Sequence, residues 1–149
     1  MRRLWSLILA VGMLGGLAFG QTLRIGLNED PDVLDPDLGR TFVGRIVFAS
    51  LCDKLFDITP DLKIVPQLAT GYTWSSDGKV LTLTLRRGVV FHDGTPFNAQ
   101  AVKYNLERSL TLPGSNRKSE IEPVERVEVV DEVLPRIWTT PRERPRGVV

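Results

Sequence analysis

The chain has 149 residues, 42% apolar and 25% charged, with 19 Lys and Arg against 18 Asp and Glu. That length holds one domain with a real core and not two comfortable ones. A net charge of +1, with cations matched by anions along most of the chain, argues against a nucleic-acid-binding face.

The first segment, "MRRLWSLILAVGMLGGLAFGQ", opens with Arg2 and Arg3, continues through an apolar stretch and reaches Ala18-Phe19-Gly20. Charged head, apolar middle and small-x-small site are the layout of a cleavable secretory signal, assigned to residues 1–20. The apolar middle is short of the about 20 residues of a bilayer span, so no permanent membrane anchor is expected. Cleavage would leave Gln21 first, and no cysteine follows it to carry a lipid. "TLRIGL" then alternates Leu23, Ile25 and Leu27 against Thr22, Arg24 and Gly26, the pattern of a half-buried strand. "NEDPDVLDPDLG" is too rich in Asp, Pro and Gly for regular structure. A loop leaving a core strand is a common ligand position in α/β sheets, although the spacing alone favours a solvated acidic loop.

"TFVGRIVFASLCDKLFDI" predicts a helix running into a short strand, with Thr41 as cap and Phe42, Ile46, Ala49 and Ser50 on or near its buried face. The single cysteine, Cys52, has no internal partner and reads as a buried structural thiol at the end of that face. Pro60 and Pro66 make "TPDLKIVPQLATGYTW" a connector with brief extended pieces. A hairpin follows: Tyr72 and Trp74 on one strand, the turn Ser76-Asp77-Gly78, then Leu81, Leu83 and Leu85 alternating with Thr82, Thr84 and Arg86. "VVF" is a short strand and "HDGTP" a second tight turn. Asn98 caps a helix whose Val102, Leu106 and Leu110 recur every fourth residue until Pro113-Gly114 ends it. "VERVEVVD" alternates as another strand. The end, "EVLPRIWTTPRERPRGVV", carries Pro135, Pro141 and Pro145 and unpaired arginines, and predicts a divergent, disordered tail over 133–149 rather than a central strand.

The single histidine, His92, lies beside Asp93 in the second turn. Catalysis needs a reacting group within hydrogen-bond reach of a histidine and a group that orients it. Neighbours in sequence usually point apart, no Gly-x-Ser-x-Gly elbow is present, and one His with one Cys makes no closed metal site. His92-Asp93 therefore reads as a corner, with no catalytic residue, metal or cofactor expected. A secreted hydrolase built on His92 is the reading this sets aside.

"VPQLATGYTWSSDGKVLTLTLRRGVVFHDGTPFNAQAVKYNLERSL" resembles the signature region of family 5 extracytoplasmic solute-binding proteins, which serve peptide- and nickel-type ABC importers. The matching residues include Pro66, Leu68-Ala69, Trp74, Asp77-Gly78, Leu85-Arg86, Gly88-Val89, Phe91-His92-Asp93-Gly94-Thr95-Pro96 and Val102. "LDPD" after the first strand and the exported start agree with it. The resemblance implies an α/β fold, the N-terminal part of the first lobe of a two-lobed, type II-like periplasmic binding protein, over residues 21–132. It implies a structural signature made of Trp74, Asp77, Gly78, Arg86, Gly88, Phe91, His92, Asp93, Gly94, Thr95 and Pro96.

By the same resemblance the protein binds a small solute, a peptide or similar, in a periplasm, presents it to an ABC permease and makes no bond. The loop after the first strand borders the cleft, which nominates Asn28, Glu29, Arg40, Thr41 and Phe42 as ligand contacts, Phe42 as a wall and Glu29 toward a ligand amine. Family members are several times longer, and the resemblance runs only from Thr22 to about Asp131. A reading-frame shift near residue 132 with an early stop would produce that picture, leaving a truncated chain that does not hold ligand alone. The alternative is a small secreted adaptor that binds a protein partner through an exposed sheet edge.

Overall fold

The computed structural model describes residues 22–140. The segment assigned to the secretory signal, and the last nine residues of the chain, lie outside them. Two helices and six strands follow in order: α1 (Phe42–Leu51), β1 (Phe56–Ile58), β2 (Ile64–Pro66), β3 (Ala69–Trp74), β4 (Val80–Leu85), α2 (Ala99–Thr111), β5 (Val124–Asp131) and β6 (Leu134–Thr139). β1 and β2 form a two-stranded ribbon, while the other four make an antiparallel sheet in the order β3-β4-β6-β5.

The sheet is built by the alternation that the sequence carries. Leu81 faces Ile137 and Ile137 faces Val127 across the ladders, so one side of three strands is apolar. Helix α2 lies on that side, held at its start by Asn98, whose side chain accepts the Ala101 amide at 3.0 Å. Val102 and Ala99 join Leu83, Leu85, Ala69, Val127 and Ile137 in the core, with Leu55, Phe56 and Leu106 packed around it. The predicted hairpin is present: β3 and β4 pair antiparallel, and Gly78 takes a positive φ of 69° in the turn between them. "VVF" contributes only the isolated bridge Val90–Pro96.

Four expectations are corrected. Residues 134–139 are not part of a tail but the strand β6, interior to the sheet. Pro135 interrupts the β4–β6 ladder just past the Thr82–Arg136 pair, and bonding resumes beyond it where the Leu85 amide donates to the Val133 carbonyl at 2.9 Å, so the strand spans one missing donor and the proline ring is fully buried. Arg136, the one tail arginine among the described residues, stands opposite Glu128 of β5, and the Trp138 ring beside it carries the Arg126 guanidinium 4.2 Å over its face. The boundary at residue 132 therefore falls in the turn of the β5–β6 hairpin; residues beyond 140 lie outside the described part.

Second, Thr22–Leu27 forms no strand, and Leu23 and Ile25 are 83% and 72% exposed. Alternation marks a segment suited to a ladder, but no described strand lies beside it to supply one. Third, α1 buries Val43 and Gly44 while Phe42 and Ile46 are exposed. Its sequence, FVGRIVFASL, has one charged residue, so apolar spacing exists on both sides and cannot tell them apart. Fourth, Cys52 is exposed, just past the helix end, its backbone N–H closing onto the Phe48 carbonyl at 2.8 Å.

Candidate functional site

The Asp-rich loop that precedes α1 is folded by its own carboxylates. Asp32 accepts the Arg40 amide at 2.9 Å and the Thr41 hydroxyl at 3.1 Å, and Thr41 accepts the Gly44 amide at 3.0 Å. Thr41 thus caps α1 as the sequence predicts, and Asp32 places a carboxylate at the positive end of the helix dipole. The Arg40 amide, with help from Thr41, holds the Asp32 carboxyl below the usual range. The protein's own anion fills the position that an anionic solute would seek at a helix start.

Three to five residues further on, at Asp35 and Asp37, a clasp joins the loop to the last turns of α2. Arg108 forms ion pairs with both Asp35 and Asp37. Ser109 donates to the buried Asp37 carboxylate at 2.7 Å. The Asn116 amide donates to the Asp37 carbonyl and its side chain to the Leu38 carbonyl, both at 2.7 Å. The Arg108 guanidinium holds the Asp35 carboxyl low, and the two carboxylates raise Arg108. Gly39 follows, so close to α1 that a Cβ on it would stand 2.8 Å from the Phe48 ring.

The loop, α1, the turn after β4 and α2 enclose a groove of about 790 Å³, lined among others by Phe48, Cys52, Val90, His92, Asn105 and Arg108. None of the five predicted ligand residues lines it. Arg40, Thr41 and Phe42 stand together at the start of α1, the Thr41 hydroxyl already engaged and the Phe42 ring 76% exposed. Asn28 and Glu29 are exposed at the far end of the loop, with no hydrogen bond joining them to the other three. The Arg40 and Phe42 side chains are exposed, and no side-chain hydrogen bond or ion pair engages them among the described residues.

Most of the signature residues sit in or beside turns. Asp93 accepts the Thr95 amide at 2.9 Å and the Thr95 hydroxyl at 2.7 Å, which together keep its carboxyl below the usual range. Gly94 takes the positive φ of 84° that this turn requires, and Pro96 closes it by bridging to Val90. The Asp93 carboxylate is spent on the turn, and His92 is exposed at the groove rim. Phe91 meets Phe97 edge-on at 6.1 Å. Asp77 accepts the Lys79 amide in the hairpin turn beside Gly78, Arg86 Nε donates to the Gln67 carbonyl, and Gly88 sits in the turn beyond it. Trp74 lies half-exposed on β3.

Sequence reasoning missed Asp32, Asp35, Asp37, Arg108 and Ser109 as a set. The "LDPD" motif flagged two of them, but their partners lie more than seventy residues away, a separation no local pattern reveals.

Comparison with known proteins gives one answer. Residues 63–134 match the profile described as "Bacterial extracellular solute-binding proteins, family 5 Middle". The glutathione-binding protein GsiB of Salmonella choleraesuis is 39% identical over 114 residues, which is 76% of this chain and 22% of that protein. Its counterpart in Escherichia coli K12 is 35% identical over 105 residues, 70% of this chain and 20% of its own length. The chain therefore spans about a fifth of the length of these relatives.

Among solved structures, the binding protein AgaA of A. tumefaciens R10, in complex with agropinic acid, superposes with a TM-score of 0.68 at 32% identity, over 74% of this chain and 22% of that one. The oligopeptide-binding protein AppA of Bacillus subtilis, in complex with a nonapeptide, gives 0.69 at 19% identity over 74% and 22%, a likeness of fold. The architecture is part of one lobe of the two-lobed periplasmic binding proteins, and no helix among the described residues is long and apolar enough to cross a membrane. The chain belongs to the bacterial extracellular solute-binding proteins of family 5.

Proposed function

We propose that this chain is the opening part of the substrate-binding component of an ABC importer for peptides or similar small solutes. In this reading residues 1–20 direct export to the periplasm, the protein passes its solute to a permease, and no bond is made or broken. The observation that carries the reading is the 39% identity over 114 residues to a glutathione-binding protein. The geometry fits it: the acidic loop is fixed by Asp32, Asp35 and Asp37 and presents Arg40 and Phe42 outward, as one wall of a cleft would. An Arg guanidinium and an aromatic ring suit the carboxylate and the apolar side chain of a peptide-like solute. One wall buries too little of a ligand to hold it, so the 149-residue chain alone is not ligand-competent.

Isothermal titration with glutathione and simple tripeptides tests both halves. The 149-residue chain is expected to give no saturable heat; tight binding by it would overturn the claim of incompetence. A chimera in which residues 22–140 replace the matching segment of the Salmonella relative is expected to bind a peptide-like solute. A folded chimera that binds none would overturn the importer reading.

A further inference from the structure

The segment that delivers the chain to the start of α1 is held residue by residue, and most of its partners come from one place. Between Asp35 and Gly39 the backbone turns on itself, with the Leu38 and Gly39 amides both donating to the Asp35 carbonyl, at 3.1 and 2.8 Å. The carbonyls of Asp37, Leu38 and Gly39 all accept from the turns after α2. The Asn116 amide meets the first and the Asn116 side chain the second, both at 2.7 Å, while Arg117 reaches the third at 3.5 Å. The side chains of the segment are tied to the end of α2 itself, where Arg108 spans Asp35 and Asp37 and Ser109 donates to Asp37. Arg40 comes next in the chain, its amide bound to Asp32.

A loop joined only to its sequence neighbours can lean as one piece. This one cannot, because its carboxylates and its carbonyls are fixed from two successive stretches of chain more than seventy residues away. α2 is in turn anchored on the sheet through Ala99 and Val102, both in the core. The position of Arg40 and Phe42 relative to the sheet is thereby set by the end of α2. Such an arrangement matters to a binding surface in a defined way. A wall that is already ordered removes the cost of ordering it when a solute arrives. A wall in place only about a tenth of the time weakens the apparent affinity about tenfold.

We infer that Arg108 and Asn116 are positioning residues for solute binding: they fix the Asp35–Gly39 segment so that Arg40 and Phe42 stand in place before a solute arrives. The inference rests on the importer reading and adds to it two residues that act through others.

The chimera that carries residues 22–140 in the Salmonella relative, titrated with glutathione and the same tripeptides, tests it. Arg108→Ala and Asn116→Ala are each expected to weaken binding about tenfold. Amide exchange at Leu38, Gly39 and Arg40 is expected to quicken in the solute-free variants. Should Arg108→Ala fail to fold, Asn116→Ala, which removes one side-chain hydrogen bond, decides the matter. Arg108→Lys keeps the charge without the fork that spans two carboxylates, and is expected to recover part of the affinity. Val102→Ala weakens the same helix from its core side and is expected to leave the affinity unchanged. Folded Arg108 and Asn116 variants that bind as tightly as the unsubstituted chimera would overturn the inference and leave the importer reading standing. So would an equal loss in Val102→Ala, which would make the effect a general weakening of the fold. A folded, unsubstituted chimera that binds no solute would overturn the importer reading, and this inference with it.

Discussion

The sheet with α2 and the region from Thr22 to Leu51 use the same kind of apolar periodicity to opposite effect. In the sheet, residues that the pattern puts on one side are buried: Leu83 is 1% exposed, with Leu85, Val127, Ile137 and Val102 beside it. In the first region the pattern is as regular, yet Leu23, Ile25, Phe42 and Ile46 face outward. Periodicity reports which side chains share a face; burial needs a second surface to meet that face. The hydrophobic effect rewards only area actually removed from water, so equal-looking residues in the two regions contribute unequally to stability.

Truncating one residue from each region measures that inequality. Leu83→Ala deletes a fully buried side chain where three strands and α2 meet, and is expected to cost about 3 kcal/mol in urea-induced unfolding. Ile25→Ala, in an exposed segment with no ladder partner among the described residues, is expected to change stability by under about 0.5 kcal/mol. Equal costs would mean that the first region is packed in solution and that the contrast drawn here is wrong.

The clasp between the two regions comes next in size. Asp37→Ala removes a buried carboxylate, orphans the Ser109 hydroxyl and takes one partner from Arg108, at an expected cost of about 2 kcal/mol. Its neighbour Asp35 gives the pH dependence. Arg108 lowers the folded carboxyl of Asp35, so that pair's contribution is complete above the unfolded value of about 3.9 and is lost as the pH falls through the lower folded value. The stability gap between the native chain and Arg108→Ala is therefore expected to be full at neutral pH and to close under acid. Urea titrations at a series of pH values check it, and a gap that does not vary with pH would place the role of Arg108 in packing alone.

How much of this was legible follows the same division. Leu81, Leu83 and Leu85, the Asp77-Gly78 turn, the Asn98 cap and the helix over Val102, Leu106 and Leu110 are local patterns satisfied by local partners, and the sequence announces them. Thr41 as a cap belongs with them. Pro135 misled, because its effect depends on the strand across from it: β4, fifty residues earlier, regains backbone bonding on the far side of the proline through the Leu85 amide and the Val133 carbonyl. Cys52 and the faces of α1 were unreadable, since a helix apolar on both sides does not say which side is covered. Within the site, Arg40, Thr41 and Phe42 were nominated together and stand together. The residues that fix them pair across more than seventy positions, Asp35 and Asp37 with Arg108, and no spacing rule reaches that far.

The ribbon β1–β2 supplies a small effect of the opposite sign. Between its strands, Leu62 sits at φ 62°, the left-handed region, with its amide donating to the Thr59 carbonyl at 2.8 Å. An L-residue with a Cβ pays roughly 1–2 kcal/mol for that conformation, and at 83% exposure the leucine side chain regains almost nothing by burial. Glycine escapes the strain but loses more freedom on folding, which returns part of the gain. Leu62→Gly is therefore expected to stabilise the chain by about 0.5 kcal/mol, read as a higher urea midpoint at unchanged slope. A destabilised Leu62→Gly would show that the exposed leucine at the ribbon tip rests on something in solution, and would move the ribbon from the unburied class of apolar residues to the buried one.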